Sequence, residues 1–247
     1  MRNKFESFDG ASLSYRIEGE GRPVLMLHGF LANSRFNWIE PGITGAIVAA
    51  GFQAIMLDHR GHGLSDAPED KSAYPPDVLA LDAEAFIAHL NLTDYELVGY
   101  SLGARTAVRM LVRGARPRCC VLGGMGDSGV IGSAARVAYF EDAIQGAGAN
   151  AQAGAAVHML MQRSGVKPQA MLNVLRSQIQ TPAESLKAIE TPVLVVSGAD
   201  DDDNGSAEGL AKLLSNARAS RISGNHLTAV NNELGAAVVA FLREQHA

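Results

Sequence analysis

The stretch Glu96-Leu97-Val98-Gly99-Tyr100-Ser101-Leu102-Gly103-Ala104-Arg105-Thr106-Ala107 decides how this chain is built. Its first residues form a short apolar run of strand character, and good helix formers follow Gly103 as far as about Arg113. The glycines at 99 and 103 bracket a sharp turn, where positive φ and close backbone approach cost little. A strand that turns directly into a helix is the repeating unit of a parallel sheet covered on both faces.

The same unit recurs on either side. Upstream, Pro23-Val24-Leu25-Met26-Leu27 is an unbroken apolar run that ends in His28-Gly29-Phe30, and a helical stretch follows to about residue 50. A strand over 52–57, a glycine-rich loop, a helix over 77–90 and a strand over 95–100 lead into the turn at Ser101. Downstream come a helix over 103–113 and a strand over 118–123. Near the N-terminus, alternation on either side of Asp9-Gly10 predicts a hairpin. Residues 127–187 break the rhythm, because they lack a β-branched run and are rich in Ala, Gly, Met and Gln. They predict a helical cap inserted into a core made of residues 1–126 and 188–247. The alternation resumes with a strand over 192–196, a helix over 206–214, a short strand over 219–222 and a last helix over 227–242. The expected architecture is α/β, a mostly parallel eight-stranded sheet flanked by helices.

Composition narrows the classes of function. A chain of 247 residues with 47% apolar residues fills one sizeable core. Net charge is -5, with no long basic run to track a phosphate backbone, which argues against nucleic acid as a partner. No run of eighteen apolar residues occurs and the first residues are polar, so the expectation is a cytoplasmic protein without a membrane partner. The two cysteines, Cys119 and Cys120, are neighbours in an apolar run; on a strand they face opposite ways and read as small core residues.

Gly99-Tyr100-Ser101-Leu102-Gly103 is the single Gly-x-Ser-x-Gly match. In a chain with 26 glycines chance supplies about 0.2 such matches, so the bare pattern is weak and its strand-helix setting carries the weight. That setting exposes a serine hydroxyl at a helix N-terminus, where free N–H groups favour developing negative charge. Serine needs a base to take its proton, and the base needs an acid to fix its tautomer. Both are expected later in the chain, acid first. Gly198-Ala199-Asp200-Asp201-Asp202-Asp203 follows the strand over 192–196, and Gly224-Asn225-His226 follows the last short strand. His226 is the candidate base. Of the other six histidines, His89 falls in a helix, His158 in the insertion and His246 at the terminus. His28, His59 and His62 precede the serine. Asp200, Asp202, Asn204 and Gly205 match the first half of a calcium loop, but its twelfth position is Ala211, where a bidentate glutamate is needed, so no metal is expected.

Taken together, these residues resemble the α/β-hydrolase superfamily, especially its small capped members: esterases, cofactor-free haloperoxidases and carbon-carbon bond hydrolases. The resemblance rests on His28-Gly29-Phe30, Asp58-His59-Arg60-Gly61-His62-Gly63-Leu64-Ser65, the elbow at Ser101, Gly198 to Asp201, and Gly224 to His226. It implies an oxyanion hole made by the backbone N–H groups of Phe30 and Leu102. It also implies an acid three residues after Gly198, which is Asp201. The acidic neighbours leave Asp200 and Asp202 open, and Asp127 is a further position.

A serine at 101 excludes the branches of that superfamily that displace at carbon with a carboxylate. The resemblance then implies cleavage of a carboxylic ester through an acyl-enzyme, without a cofactor. Carbon-carbon bond hydrolysis or perhydrolysis would use the same residues, and a non-enzymatic ligand receptor would use the same pocket. The apolar bias predicts a small or medium uncharged ester; Tyr139, Phe140, Met159 and Met161 either line the acyl pocket or pack the cap helices on the sheet, and Tyr100 and Leu102 limit the space beside the serine. Gly146, Gly148 and Gly154 predict a mobile lid.

Overall fold

The computed structural model describes residues 2–132, 134–146 and 151–246. Its frame is one eight-stranded sheet. The strands are β1 (Arg2–Glu6), β2 (Ser12–Glu18), β3 (Arg22–Leu27), β4 (Phe52–Leu57), β5 (Glu96–Tyr100), β6 (Cys120–Gly123), β7 (Val193–Gly198) and β8 (Ala217–Ile222). They lie in the order β1-β2-β4-β3-β5-β6-β7-β8. β1 and β2 form the hairpin predicted around Asp9-Gly10, and β2 runs antiparallel to β4. From β4 to β8 all pairings are parallel.

Alternation along the strands divides the core in two. Leu25, Leu27, Ile55, Leu57, Leu97, Cys120, Leu122, Val193 and Val195 face one side. There they pack on α2 (Val78–His89), α3 (Leu102–Arg113) and α9 (Ala207–Leu213). Val24, Met26, Ala54, Met56, Val98, Val121, Leu194 and Val196 face the other, against α1 (Ile43–Ala49) and α10 (Asn232–Glu244). Cys119 and Cys120 fall on opposite sides, both buried and free, and burial pushes their thiols up, that of Cys119 to about 12.

Between β6 and β7 the chain runs through α4 (Asp127–Ile131), α5 (Ala134–Gln145), α6 (Ala151–Ser164), α7 (Pro168–Arg176) and α8 (Ala183–Leu186). Ala143, Ile144, Val157, Met161 and Met171 form a third apolar cluster with Leu31, Val78 and Leu102 of the sheet-bearing part. Arg105 of α3 ties both ends of this excursion: Nη1 donates to Gly129 O and Nη2 to Ile179 O at 2.8 Å.

Two element boundaries differ from the sequence reading for identifiable reasons. The stretch after Phe30 is not one helix: a π-helical turn covers Arg35–Ile39, and Gly42 at φ 80° separates it from α1. The last helix begins at Asn232 rather than 227. Asn225 Oδ1 accepts from the N–H groups of Leu227 and Thr228, holding a turn there, and Asn231 caps α10 through Glu233 N at 2.8 Å.

Candidate active site

Ser101 stands between β5 and α3 with φ 51° and ψ -113°, a conformation that L-residues rarely adopt and that costs about 1–3 kcal/mol. The bracketing glycines explain how the turn closes. A Cβ on Gly99 would meet Gly103 O at 2.4 Å, and one on Gly103 would meet Leu27 O at 1.9 Å. The serine is thereby raised at the carboxyl end of β5, at the head of the helix dipole.

The structure brings together three residues far apart in sequence. His226 Nε2 lies 2.9 Å from Ser101 Oγ. His226 Nδ1 lies 3.0 Å from Asp201 Oδ2 and 3.2 Å from Oδ1. Because a carboxylate only accepts, Nδ1 carries the proton and Nε2 is left to accept from the serine hydroxyl. Asp201 is buried just beyond β7, and Asp203 N donates to its Oδ1 at 3.2 Å. Burial pushes the Asp201 carboxyl up, but the hydrogen bond and charge of His226 outweigh it and hold the group below its ordinary 3.8.

The other acidic candidates lie elsewhere. Asp200 and Asp202 are exposed. Asp127 Oδ1 accepts from Ser206 N at 2.9 Å, ahead of α9. The calcium-loop register is not assembled, since Asn204 is buried with its Nδ2 donating to Gly124 O at 2.8 Å. Donor atoms of Asp201, Asp203 and His226 do lie within 4.8 Å of one another. Both ring nitrogens of His226 are engaged by Asp201 and Ser101, however, which leaves none for a cation.

Leu102 opens α3, so its N–H, like every first-turn amide, has no acceptor within the helix. The Gly29-Phe30 segment lies against the serine: a Cβ on Gly29 would be 3.5 Å from Ser101 Cβ. Two side chains fix that segment. Asn37 Oδ1 accepts from Gly29 N at 2.9 Å, and buried His28 donates from Nδ1 to Gly29 O at 2.8 Å while its Nε2 accepts from His59 N at 3.0 Å. His59 and His62 are buried beside His28, and burial depresses all three imidazoles, His62 to about 3. Tyr100 Oη donates to His226 O at 2.6 Å and so braces the base from the strand that carries the serine.

Sequence reading missed the positioning parts played by Asn37 and Tyr100. No sequence signal marks an Asn eight residues beyond the glycine it holds. Tyr100, by contrast, was legible as a neighbour of the serine.

Ser101 and His226 open into a cavity of 210 Å³. Its wall includes Phe30, Leu31, Phe36, Tyr100, Val230 and, from α6, Leu160 and Arg163. None of Tyr139, Phe140, Met159 and Met161 lies in this wall, so of the two readings the acyl-pocket one is corrected. Tyr139 and Met159 are exposed, Met161 is buried in the third apolar cluster, and Phe140 packs on Phe30 with ring centroids 5.1 Å apart. Leu102 also packs into that third cluster and is not part of the cavity wall. A helix shows a different face every residue, and the composition of α6 does not fix which one turns inward. Of the lid glycines, Gly148 lies outside the described residues. Gly146 takes φ 70° at the end of α5, and Gly154 lies within α6.

This strand order, with a strained serine at the carboxyl end of a central strand and an Asp and a His arriving on later loops, is that of the α/β-hydrolase fold. Residues 22–125 match the family model described as alpha/beta hydrolase fold. The chain is 35% identical to the non-heme chloroperoxidase CPO-A1 of Kitasatospora aureofaciens over 105 residues, 42% of this chain and 36% of that protein. It is 36% identical to the N-formylmaleamate deformylase of Pseudomonas putida over 104 residues, 40% of this chain and 35% of that protein. The matched stretch thus spans about a third of each curated relative's length. Over the full fold it is similar to the esterase RhEst1 from Rhodococcus sp., with a TM-score of 0.74 and 25% identity, covering 98% of this chain and 97% of that one. No described helix is long and apolar enough to cross a membrane.

Proposed function

We propose that the chain is a serine hydrolase that cleaves a small carboxylic ester through an acyl-enzyme on Ser101. The observation that carries this reading is the unbroken chain of hydrogen bonds from Ser101 Oγ to His226 and on to Asp201. His226 Nε2 takes the hydroxyl proton as Oγ attacks the ester carbonyl, and Asp201 stabilises the imidazolium that forms. The negative charge that develops on the carbonyl oxygen is received by the N–H groups of Leu102 and Phe30, each such donor being worth about 3 kcal/mol. Collapse of the tetrahedral intermediate releases the alcohol, which receives its proton from His226. Water then attacks the acyl-enzyme by the same steps in reverse and frees the acid and the serine.

The cavity supports a short acyl group: 210 Å³ lies below the roughly 300–1,000 Å³ of sites for drug-sized ligands. The esterase named among its structural neighbours supports ester chemistry. The test is hydrolysis of p-nitrophenyl esters of increasing acyl length by the native chain and the Ser101→Ala variant, beside labelling by a fluorophosphonate probe. The expected result is turnover that favours acetate and butyrate over longer chains, abolished with the probe signal in the variant. Full ester turnover by Ser101→Ala would overturn the reading.

A further inference from the structure

Arg163, on the last turn of α6, is the one Lys or Arg side chain in the wall of the cavity that Ser101 and His226 share, among the described residues. The rest of that wall is apolar or neutral apart from the base itself. The guanidinium lies over the Phe36 ring, 4.5 Å from its centroid, and Nη2 donates to Glu40 Oε2 at 3.1 Å. Glu40 is not its alone. The other carboxylate oxygen, Oε1, pairs with Arg35 Nε at 3.0 Å, and Arg35 lies over the same ring at 5.9 Å. Two guanidiniums thus share one carboxylate, and a single positive charge is left over at the cavity.

An arginine has five N–H donors in a planar fork, and among the described residues Arg163 uses one of them, on Glu40. With 60% of its side chain exposed, the remaining edge of the fork meets no acceptor among the described residues and faces a ligand in the cavity. Its aromatic support holds the plane of the fork in place. A ligand suited to this cavity has an ester carbonyl at Ser101, a short run of methylenes against Phe30, Leu31 and Phe36, and an anion at its far end.

We propose that the substrate is a half-ester of a short dicarboxylic acid whose free carboxylate is read by Arg163. The inference rests on the ester-hydrolase reading above and replaces the uncharged ester expected from composition. Composition counts apolar residues but does not show where one guanidinium points. Glu40 acts in this scheme as the resident anion that the substrate carboxylate displaces or joins, so the two residues have opposite effects on acid binding.

That opposition supplies the test. Ethyl hydrogen glutarate and ethyl pentanoate differ in having a carboxylate or a methyl group at the far end. The quantity to measure, by pH-stat, is the ratio of their kcat/KM values in the native chain, Arg163→Gln and Glu40→Gln. Arg163→Gln is expected to lower the ratio about five- to tenfold, chiefly through KM for the acid, as for a half-exposed charge-assisted pair. Glu40→Gln is expected to raise it. If the pair only clamps α6 to the loop after the π-helical turn, both variants move the ratio the same way or not at all, and the proposal is overturned.

A second arm is independent of turnover: calorimetric titration of glutarate into Ser101→Ala and into Ser101→Ala/Arg163→Gln. Weaker binding in the double variant supports the carboxylate site. If neither ester is turned over while this difference persists, the hydrolase reading fails and the site stands. If both esters are turned over at a ratio indifferent to Arg163 and Glu40, the site fails and the hydrolase reading stands.

Discussion

Replacing Asp201 by asparagine changes one atom, yet the surroundings of that atom predict a large effect. Asp203 N donates to Oδ1, and a backbone N–H can only donate, so the asparagine oxygen must occupy that position. Its NH₂ group then takes the Oδ2 position, 3.0 Å from His226 Nδ1. An NH₂ facing Nδ1 forces that nitrogen to accept, which moves the ring proton to Nε2. The nitrogen 2.9 Å from Ser101 Oγ becomes a donor and can no longer take the serine proton. The carboxylate that stabilises the imidazolium is lost as well. Together these effects are worth about 10⁴ in kcat, or roughly 5 kcal/mol of barrier, with KM little changed.

The assay is steady-state hydrolysis of p-nitrophenyl butyrate at pH 8. Asp200→Asn and Asp202→Asn serve as controls; both carboxylates are exposed and should cost less than about twofold. An Asp201→Asn variant that folds and keeps more than a tenth of native kcat would refute the reasoning. The sign of the pH effect follows too. Asp201 sits below 3.8 in the folded chain, so its contribution to stability is present above that value and is lost as pH falls through its lower folded value.

Three further outcomes are expected. Gly103→Ala places a methyl group 1.9 Å from Leu27 O, a backbone atom one residue before His28-Gly29, and should cost about 3 kcal/mol by urea unfolding while depressing kcat. Arg105→Met removes a guanidinium that burial has depressed to about 10 and frees the carbonyls of Gly129 and Ile179 at both ends of the inserted helices. Amide exchange should rise across residues 127–187 more than in β3 to β7, with a loss of about 2 kcal/mol. Glu96, fully buried, is pushed up to about 7 by burial, and its partner His246 is itself depressed. The folded chain therefore holds a proton that the unfolded chain releases above 4.5, and stability falls as pH rises from 4.5 through 7. Glu96→Gln should gain about 2 kcal/mol at pH 8 and nothing at pH 4, as measured by thermal melts at both values.

The sheet was legible because it is written locally. Leu97-Val98-Gly99-Tyr100-Ser101 states a strand, a turn and a nucleophile position within five residues, and each buried parallel strand repeats that kind of signal. Helix boundaries that depend on side-chain caps were less legible. Asn225 and Asn231 set where α10 begins through hydrogen bonds that hydrophobic periodicity does not register. Residue types within the inserted helices announced helices, but not which face of α6 meets the cavity. Met161 and Leu160 are sequence neighbours, yet Met161 is buried in the third cluster while Leu160, half-buried against that cluster, also lines the cavity wall.

The sequence by itself determined the strand-helix alternation, the strained position of Ser101 and the chain order of Ser, Asp and His, because each follows from backbone sterics and side-chain chemistry acting within a few residues. Only the tertiary structure showed which of Asp200, Asp201 and Asp202 meets His226, since that depends on which carboxylate the turn after β7 buries toward it. It likewise decided that Asn37 would hold Gly29, and that Arg163 would share Glu40 with Arg35 in the wall of a largely apolar cavity. Those contacts join segments far apart in the chain, and their free energies depend on distance and burial, which exist only once the segments are packed.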